Sequence, residues 1–462
     1  DIVGPIRRWD ERDTLFARHD LHRYFEPAST AAERYYESHP EDREYDERLA
    51  ELPPLGRSGG DYARLYAGLF ETARGVAAEE RVDGVPAPVK VSLSPEEAAR
   101  LVKEHALKSG ADLAGTGPLR PEWIYSHVGR SFGDADGFVP SGEPVDLSHH
   151  AHAVAMGFRM DLDLLRTAPE FPTIVATGAA YALGACVAVR LAAFIRSLGY
   201  SARAHHVYNY RVLAVPVAVD CGLGELSRAG FLITRELGLG LRLGVVTTDL
   251  PLSHDGPVDL GVQSFCARCE ICADCCPSGA IARGGKAEHN GVRKWKIDAE
   301  RCYAYWFAVG TDCSLCMSRC PWTKPRTWIH RAAGRVAAIP GPHQSVLVAV
   351  EKLLYGGCGS PGTRRTTGLE SLRPVRLPLG LRVTTVATGA AVAIGAWRWF
   401  AGLAGELSAW QTVGFFCWLA WIALGVAVAG TLAAERAPRA AWIVAGVFGG
   451  VAVVAAVLGG FA

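Results

Sequence analysis

The sequence predicts an α/β domain that runs into a ferredoxin-like cysteine module and ends in three transmembrane helices. Three observations carry this. Helix-like and strand-like segments alternate between residues 94 and 258. Nine of the thirteen cysteines fall between Cys266 and Cys320. From Val383 onward the chain becomes almost wholly apolar.

Composition limits the functional classes. Lys and Arg total 48 against 47 Asp and Glu, for a formal charge of +1. There is no basic excess to suggest nucleic acid and no acidic tail to suggest a cationic partner. The 462 residues leave room for two or three domains with a sizeable core. A secreted disulfide framework is short and spreads its cysteines, whereas this chain is long and concentrates them, which points to metal or redox work.

The elements follow in chain order. Residues 1–93 are charged, Tyr- and Pro-rich and weakly periodic, and read as an irregular N-terminal segment that wraps the rest. Ser94 followed by Pro95, Glu96 and Glu97 is a strong helix start, with Gly110 as its stop. The run from Thr173 to Tyr200 is a long helical pattern of small residues ending at Gly199. Ala214 to Gly238 reads as a short strand, a Gly-rich turn and a helix or second turn. Leu241 to Leu252 reads as a strand. The predicted domains are therefore 1–93, 94–258 (α/β), 259–345 (cysteine module), 346–382 (a Gly- and Arg-rich linker) and 383–462 (membrane anchor).

The cysteine spacing is specific. Cys266, Cys269 and Cys272 are separated by two residues each, and Cys276 follows after three, directly before Pro277. That is the bacterial ferredoxin spacing for a 4Fe–4S cluster, whose fourth cysteine ligates the other cluster in two-cluster domains. A second run repeats the pattern with a longer first gap: Cys302, Cys313, Cys316 and Cys320, then Pro321. The assignment is Cys266, Cys269, Cys272 and Cys320 to cluster one, and Cys276, Cys302, Cys313 and Cys316 to cluster two. Cys275 is then a bystander. Paired Cys-x-x-Cys units also make zinc sites, but three cysteines at equal spacing followed by Cys-Pro fit zinc poorly. Cys186, Cys221, Cys358 and Cys417 read as small apolar fillers.

The three apolar spans start at Val383, Trp410 and Ala440, and each is long enough to cross a bilayer core as a helix of about 20 residues. Short polar breaks separate them, and Trp residues stand near their ends. Arg373, Arg376, Arg382, Arg436 and Arg439 favour a cytoplasmic face for the N-terminal body, with Arg398 alone opposite them.

Several stretches resemble the cobamide-dependent reductive dehalogenases: Ile195–Tyr200 (IRSLGY), Val215–Thr234 (VPVAVDCGLGELSRAGFLIT), Thr248–Leu252 (TDLPL), Ala111–Ser126 (ADLAGTGPLRPEWIYS) and both cysteine runs. The resemblance covers roughly residues 1 to 345. GLGE-x-x-R-x-G and the paired clusters are shared with epoxyqueuosine reductases.

The resemblance implies a nitroreductase-like α/β domain holding a corrinoid of the cobalamin type base-off, with one cluster close to the cobalt. An Asp-x-His-x-x-Gly signature is absent, since Asp20-Leu-His22 continues Arg-Tyr-Phe; the family holds its cofactor without a histidine ligand. Replacing halogen by hydrogen on an organohalide needs a proton, and a Tyr donor needs help from a nearby cation. Outward from the matched stretches, the family's donor falls on Tyr181, its electrostatic partner on Arg242 and its polar aid to substrate placement on Asn209. Gly222, Gly224 and Gly230 are turn glycines first and weak candidates for close approach of the corrinoid.

Typical family members use a separate three-helix anchor protein, so the chain reads as catalytic subunit and anchor fused. The opening DIVGPI resembles the mature start of exported members, which leans the catalytic domain to the extracytoplasmic face of the cell membrane against the arginine pattern. The expected partners are a small organohalide, membrane lipid at the C-terminal helices and an electron donor, either quinol or a redox protein. No nucleic acid is expected, and a homo-oligomer is allowed. The rival readings are an epoxyqueuosine-type reductase and a non-catalytic electron-transfer module.

Overall fold

The computed structural model describes residues 1–23, 30–52, 55, 60–130, 142–325, 327–356 and 358. The linker from 359 and the three apolar spans lie outside the described residues. Two compact units are present: Asp1–Lys324 with Gly334–Ser345, and a second that includes Pro325–Ala333 and Val346–Gly359.

The N-terminal segment is helical where it was expected to be irregular. It forms α1 (Leu15–Arg23), α2 (Thr30–Ser38), α3 (Pro40–Glu51), α4 (Asp61–Gly75) and α5 (Glu79–Val82). The reason is that its charges are used inside the protein. Arg18 donates to both oxygens of Asp46 at 2.8–3.1 Å, and both side chains are buried. A periodicity search that treats charge as solvent-facing misses such helices. The segment touches the cysteine region: Tyr45 Oη donates to the Glu300 carbonyl at 2.7 Å, and Ile2 forms an isolated antiparallel bridge with Val292.

The central layer follows. α6 (Pro95–Lys108) starts as expected at Ser94, whose Oγ accepts from Glu97 N while the Glu97 side chain accepts from Ser94 N. Then come β1 (Leu113–Pro118), β2 (His152–Arg159), α7 (Leu162–Leu165), α8 (Pro172–Ser197) and β3 (Ala202–His205). α9 (Ala214–Asp220), β4 (Glu225–Leu226), β5 (Leu232–Ile233) and β6 (Leu241–Thr248) complete it. The helix at Ala214–Asp220 corrects the expected strand. A short run of Val and Ala cannot be told from a buried helical turn by periodicity, and Pro216 fits the first turn of a helix. The strand at Leu241 forms as expected.

The sheet order is β1-β2-β6-β3, and all its pairings are antiparallel. Side chains alternate between its faces. Val154, Met156, Phe158 and Val246 join the α8 side chains Ala180, Val187, Leu191 and Ile195 in one core. Ala153, Ala155 and Val245 join Val217, Ala218, Trp123 and Ile124 in the other. α8 is long and apolar enough to cross a membrane, but its residues are largely buried here, as a core helix requires. It ends at Gly199, where φ is +86° and a Cβ would lie 2.4 Å from the Val89 carbonyl oxygen.

The cysteine region adds α10 (Val262–Arg268), α11 (Ile271–Asp274), the hairpin β7 (Ala287–His289) and β8 (Val292–Lys294), α12 (Ala299–Val309) and α13 (Leu315–Ser318). Two further helices, α14 (Trp328–Ala337) and α15 (His343–Tyr355), close the described chain. Within the second unit, His330 shares a 2.8 Å hydrogen bond with the Tyr355 hydroxyl.

Candidate active site and cluster module

The cysteines sort into the two expected sets. Cys266, Cys269, Cys272 and Cys320 line one small cavity together with Ser227, Arg228 and Trp322. Burial is the main reason the Cys320 thiol is pushed well up, and its charged neighbours are Cys266, Cys272 and Cys269. Burial likewise pushes Cys302 up to about 11 and Cys313 up to about 12; Cys302 feels Cys276, and Cys313 feels both Cys302 and Cys276. Cys316 feels Cys302, Cys313 and Cys276, and also Cys272 of the first set, so the two sets adjoin. Buried thiols that raise one another become thiolates readily only against a positive core, which is what four irons supply. Among the described residues, no three His, Cys, Asp or Glu side chains converge tightly enough for a single ion. The four cysteines of the first set instead line a cavity. Cys275 and Cys358 each take part in a disulfide, so Cys358 is not the apolar filler that the sequence suggested.

The GLGE-x-x-R-x-G stretch fastens this module to the α/β layer. Glu225 Oε2 accepts from Leu260 N at 2.6 Å and Val262 N at 3.1 Å, at the start of α10. Arg228, fully buried, donates to the Cys266 carbonyl from Nε and Nη2 and to the Ala282 and Gly284 carbonyls from Nη1. The three glycines have protein against them on the side a Cβ would take. That atom would meet the Gly256 carbonyl at 2.6 Å from Gly222, the Ile233 carbonyl at 2.0 Å from Gly224 and Ile297 at 2.5 Å from Gly230. Tight chain packing thus accounts for all three.

Tyr181 and Arg242 come together. Tyr181 is half-buried on α8. Arg242 reaches across from β6, with its guanidinium carbon 5.3 Å from the Tyr181 ring centre. Its Nη2 donates to Thr177 Oγ1 at 2.9 Å and lies 3.7 Å from Asp312. Thr177 donates in turn to Asp312 Oδ2 at 2.5 Å. Thr177 and Tyr181 are four residues apart and share a face of α8. Burial pushes the Asp312 carboxyl up, while Arg242, Thr177 and Ser314 oppose this. Asp312 precedes Cys313, so the pair is linked by one side chain to the loop of cluster two. Phe70 packs edge-on against both Tyr181 and Tyr208, giving the site an aromatic wall.

Asn209 is not part of that pair. Its Oδ1 accepts from Arg203 at 2.8 Å, and its amide protons go to the Ala77 carbonyl and Glu79. It is fully buried and ties α5 to the chain after β3. A recess of about 570 Å³ along α6 is lined by Glu96, Arg100, Lys103 and Lys108 among others and contains none of these residues.

Residues 265–324 match the model for a 4Fe–4S dicluster domain. The tetrachloroethene reductive dehalogenase of Desulfitobacterium hafniense is 32% identical over 315 residues, covering 60% of this chain and 57% of that protein. The enzyme of the same name from Sulfurospirillum multivorans is 32% identical over 271 residues, covering 51% and 52%. Among solved structures, the catabolic reductive dehalogenase NpRdhA in complex with 3-bromo-4-hydroxybenzoic acid superposes with a TM-score of 0.61 at 26% identity, over 76% of this chain and 47% of that one.

The chain is a relative of the reductive dehalogenases. It spans little more than half the length of the curated members it matches. The eight cysteines all fall within the stretch that matches the 4Fe–4S dicluster domain. Sequence reading missed three residues of this reductive-dehalogenase relative that the fold brings to the chemistry: Thr177, Asp312 and Arg228. Arg228 had a signal, the x-x-R of its motif. Thr177 and Asp312 had only their places, one turn before Tyr181 and one residue before Cys313.

Proposed function

We propose that this chain is the catalytic polypeptide of a corrinoid-dependent reductive dehalogenation, in which an organohalide gains hydrogen in place of halogen. The observation that carries the reading is the Tyr181–Arg242 pair, set in the same compact unit as two four-cysteine sets. A bound corrinoid would supply a reducible cobalt as the chemistry for breaking the carbon–halogen bond.

The residues present suit such a group. Arg242 Nε, Asp312 Oδ1, Thr311 Oγ1 and Thr173 Oγ1 are buried side-chain atoms without a hydrogen-bond partner. An amide-fringed macrocycle satisfies atoms of this kind, and leaving them unmet is costly. Arg242, Asp312, Thr173 and Thr311 are therefore its proposed contacts.

The chain's own contribution is the proton. Tyr181 donates from its hydroxyl, and Arg242 over the ring stabilises the phenolate left behind. Half-exposure of Tyr181 lets solvent restore the proton. Thr177 and Asp312 hold Arg242 in place. Asn209 supports the wall behind the site through α5.

The segment 383–462 anchors the protein in the cell membrane through three apolar helices, with the catalytic body on the outer face. Quinol or a redox protein delivers electrons to the clusters.

The test is anaerobic purification of the full chain with cobalamin, followed by cobalt and iron analysis and halide release from an organohalide panel with reduced viologen. One cobalt to about eight irons with halide release is expected. Protein that retains iron but no cobalt would leave only an electron-transfer module. Protease digestion of intact spheroplasts checks the face, and a protected body would place it in the cytoplasm.

A further inference from the structure

Arg228 is an unusual place for a charge. Its side chain has no exposure. Four hydrogen bonds of 2.9–3.1 Å fix it, two to the carbonyl of the cluster ligand Cys266 and one each to Ala282 and Gly284. Its guanidinium carbon stands 4.7 Å from the Trp295 ring centre. Backbone carbonyls satisfy its donors without cancelling its charge. Two acids offset it in part: Glu270 lies at 3.4 Å but is partly exposed, and Glu225, which accepts from two backbone N–H groups and keeps its charge, also acts on Cys266. Lys286, 4.9 Å from the other partner of Arg228, the Trp295 ring, adds a second cation.

Cluster two has a balanced ion pair beside it. Asp312, fully buried, directly precedes its ligand Cys313 and is paired with Arg242 at 3.7 Å, and Asp298, partly exposed and paired with Arg301, caps the helix that carries Cys302. Reducing a cluster adds one negative charge to four thiolates and their core. A buried cation favours that state and a buried anion disfavours it, and both act strongly where water is excluded.

We propose that Arg228 sets the reduction potential of cluster one above that of cluster two, so that an electron entering the pair settles on cluster one. The exchange balances: cluster two loses one electron, cluster one gains it, and no bond to carbon is involved. Arginine suits the place because its planar fork makes all four bonds while remaining charged. The proposal rests on the two clusters alone, and not on the dehalogenation reading.

The experiment is an EPR-monitored titration with dithionite on cobalt-free, cluster-loaded full-length protein. The parent is expected to reduce in two one-electron steps. In R228Q the higher step falls so that reduction is at least tenfold less favourable, about 59 mV, and the lower step stays. R228K, which keeps the charge, retains the higher step to within about threefold. Unchanged steps in R228Q carrying full iron would overturn the proposal, as would R228K falling as far as R228Q. If R228Q does not keep its iron, E270Q decides. Removing the partial counter-charge raises the higher step, and no rise overturns the idea. Loss of iron from the parent itself would instead sink the cluster reading.

Discussion

Arg242 stands over the Tyr181 ring, its guanidinium carbon 5.3 Å from the ring centre, although 61 residues separate the two in sequence. β6 supplies one and α8 the other, and the core between them fixes the approach. Thr177, one turn before Tyr181 on the same helix, holds Arg242 Nη2 at 2.9 Å.

The first prediction follows from that pair. Y181F should lower kcat for halide release by about 10²- to 10⁴-fold, the usual contribution of a positioned acid, and leave KM within a few-fold. R242Q should lower kcat as well, and should also destabilise the fold by about 3 kcal/mol, because Asp312 loses its buried counter-charge. D312N should destabilise less. Steady-state kinetics with reduced viologen and urea midpoints check both. Full halide release by Y181F would remove Tyr181 as the donor.

Asn209 gives a contrasting result. N209A leaves Arg203, Glu79 and the Ala77 carbonyl short of a partner and should cost about 2 kcal/mol in stability. The surviving folded enzyme should keep kcat and KM within about threefold. A large change in KM without loss of stability would return Asn209 to the substrate.

The ligand exchange between motifs is testable by single substitutions. C320A, in the second run, should damage cluster one, and C276A, in the first run, should damage cluster two. Each should retain about four of eight irons or a cluster missing one iron. C320A is expected to share its EPR loss with C266A, and C276A with C302A. C320A sharing its loss with C302A instead would mean that each motif serves its own cluster.

Stability should depend on pH through buried histidines. Arg211 N donates to His205 Nδ1, so His205 Nε2 carries a proton and donates to Thr247 Oγ1. Thr247 can then donate to His150 Nδ1, and His150 Nε2 to Ser201. Burial, with His149 and Arg203 adding and Asp83 and Asp249 opposing, brings His150 down to about 4. Burial, partly offset by the Val76 carbonyl, brings His206 down to about 4. The ordinary value is 6.5. Between the two the unfolded chain binds protons that the folded chain refuses, so stability is complete above 6.5 and declines as pH falls toward 4. Each histidine accounts for roughly 3 kcal/mol at most. Urea midpoints at pH 7.5, 6.5 and 5.5 should fall, and H206Q should fall less steeply. A flat profile in the parent would show that these histidines are protonated in the fold.

Much of the fold was legible where the chemistry is local. The capping box at Ser94, the stop at Gly199 and the strand at Leu241 depend on near neighbours, and each was read from a few residues. The irregular reading of the first 93 residues failed because Arg18 and Asp46 are buried together, a pairing that no window of sequence displays. The strand expected at Val215 failed because a short apolar run fits either state until its surroundings choose.

The sequence alone determined the cluster chemistry, because a cubane needs thiolates at fixed short intervals and those intervals are printed in the chain. It also pointed to Tyr181 and Arg242 through their resemblance to a family. Only the tertiary structure decided that Arg242 lies on Tyr181, that Asn209 is engaged elsewhere, and that Arg228 buries its charge against Cys266. These relationships join residues tens of positions apart, and their energies exist only once water has been excluded between them.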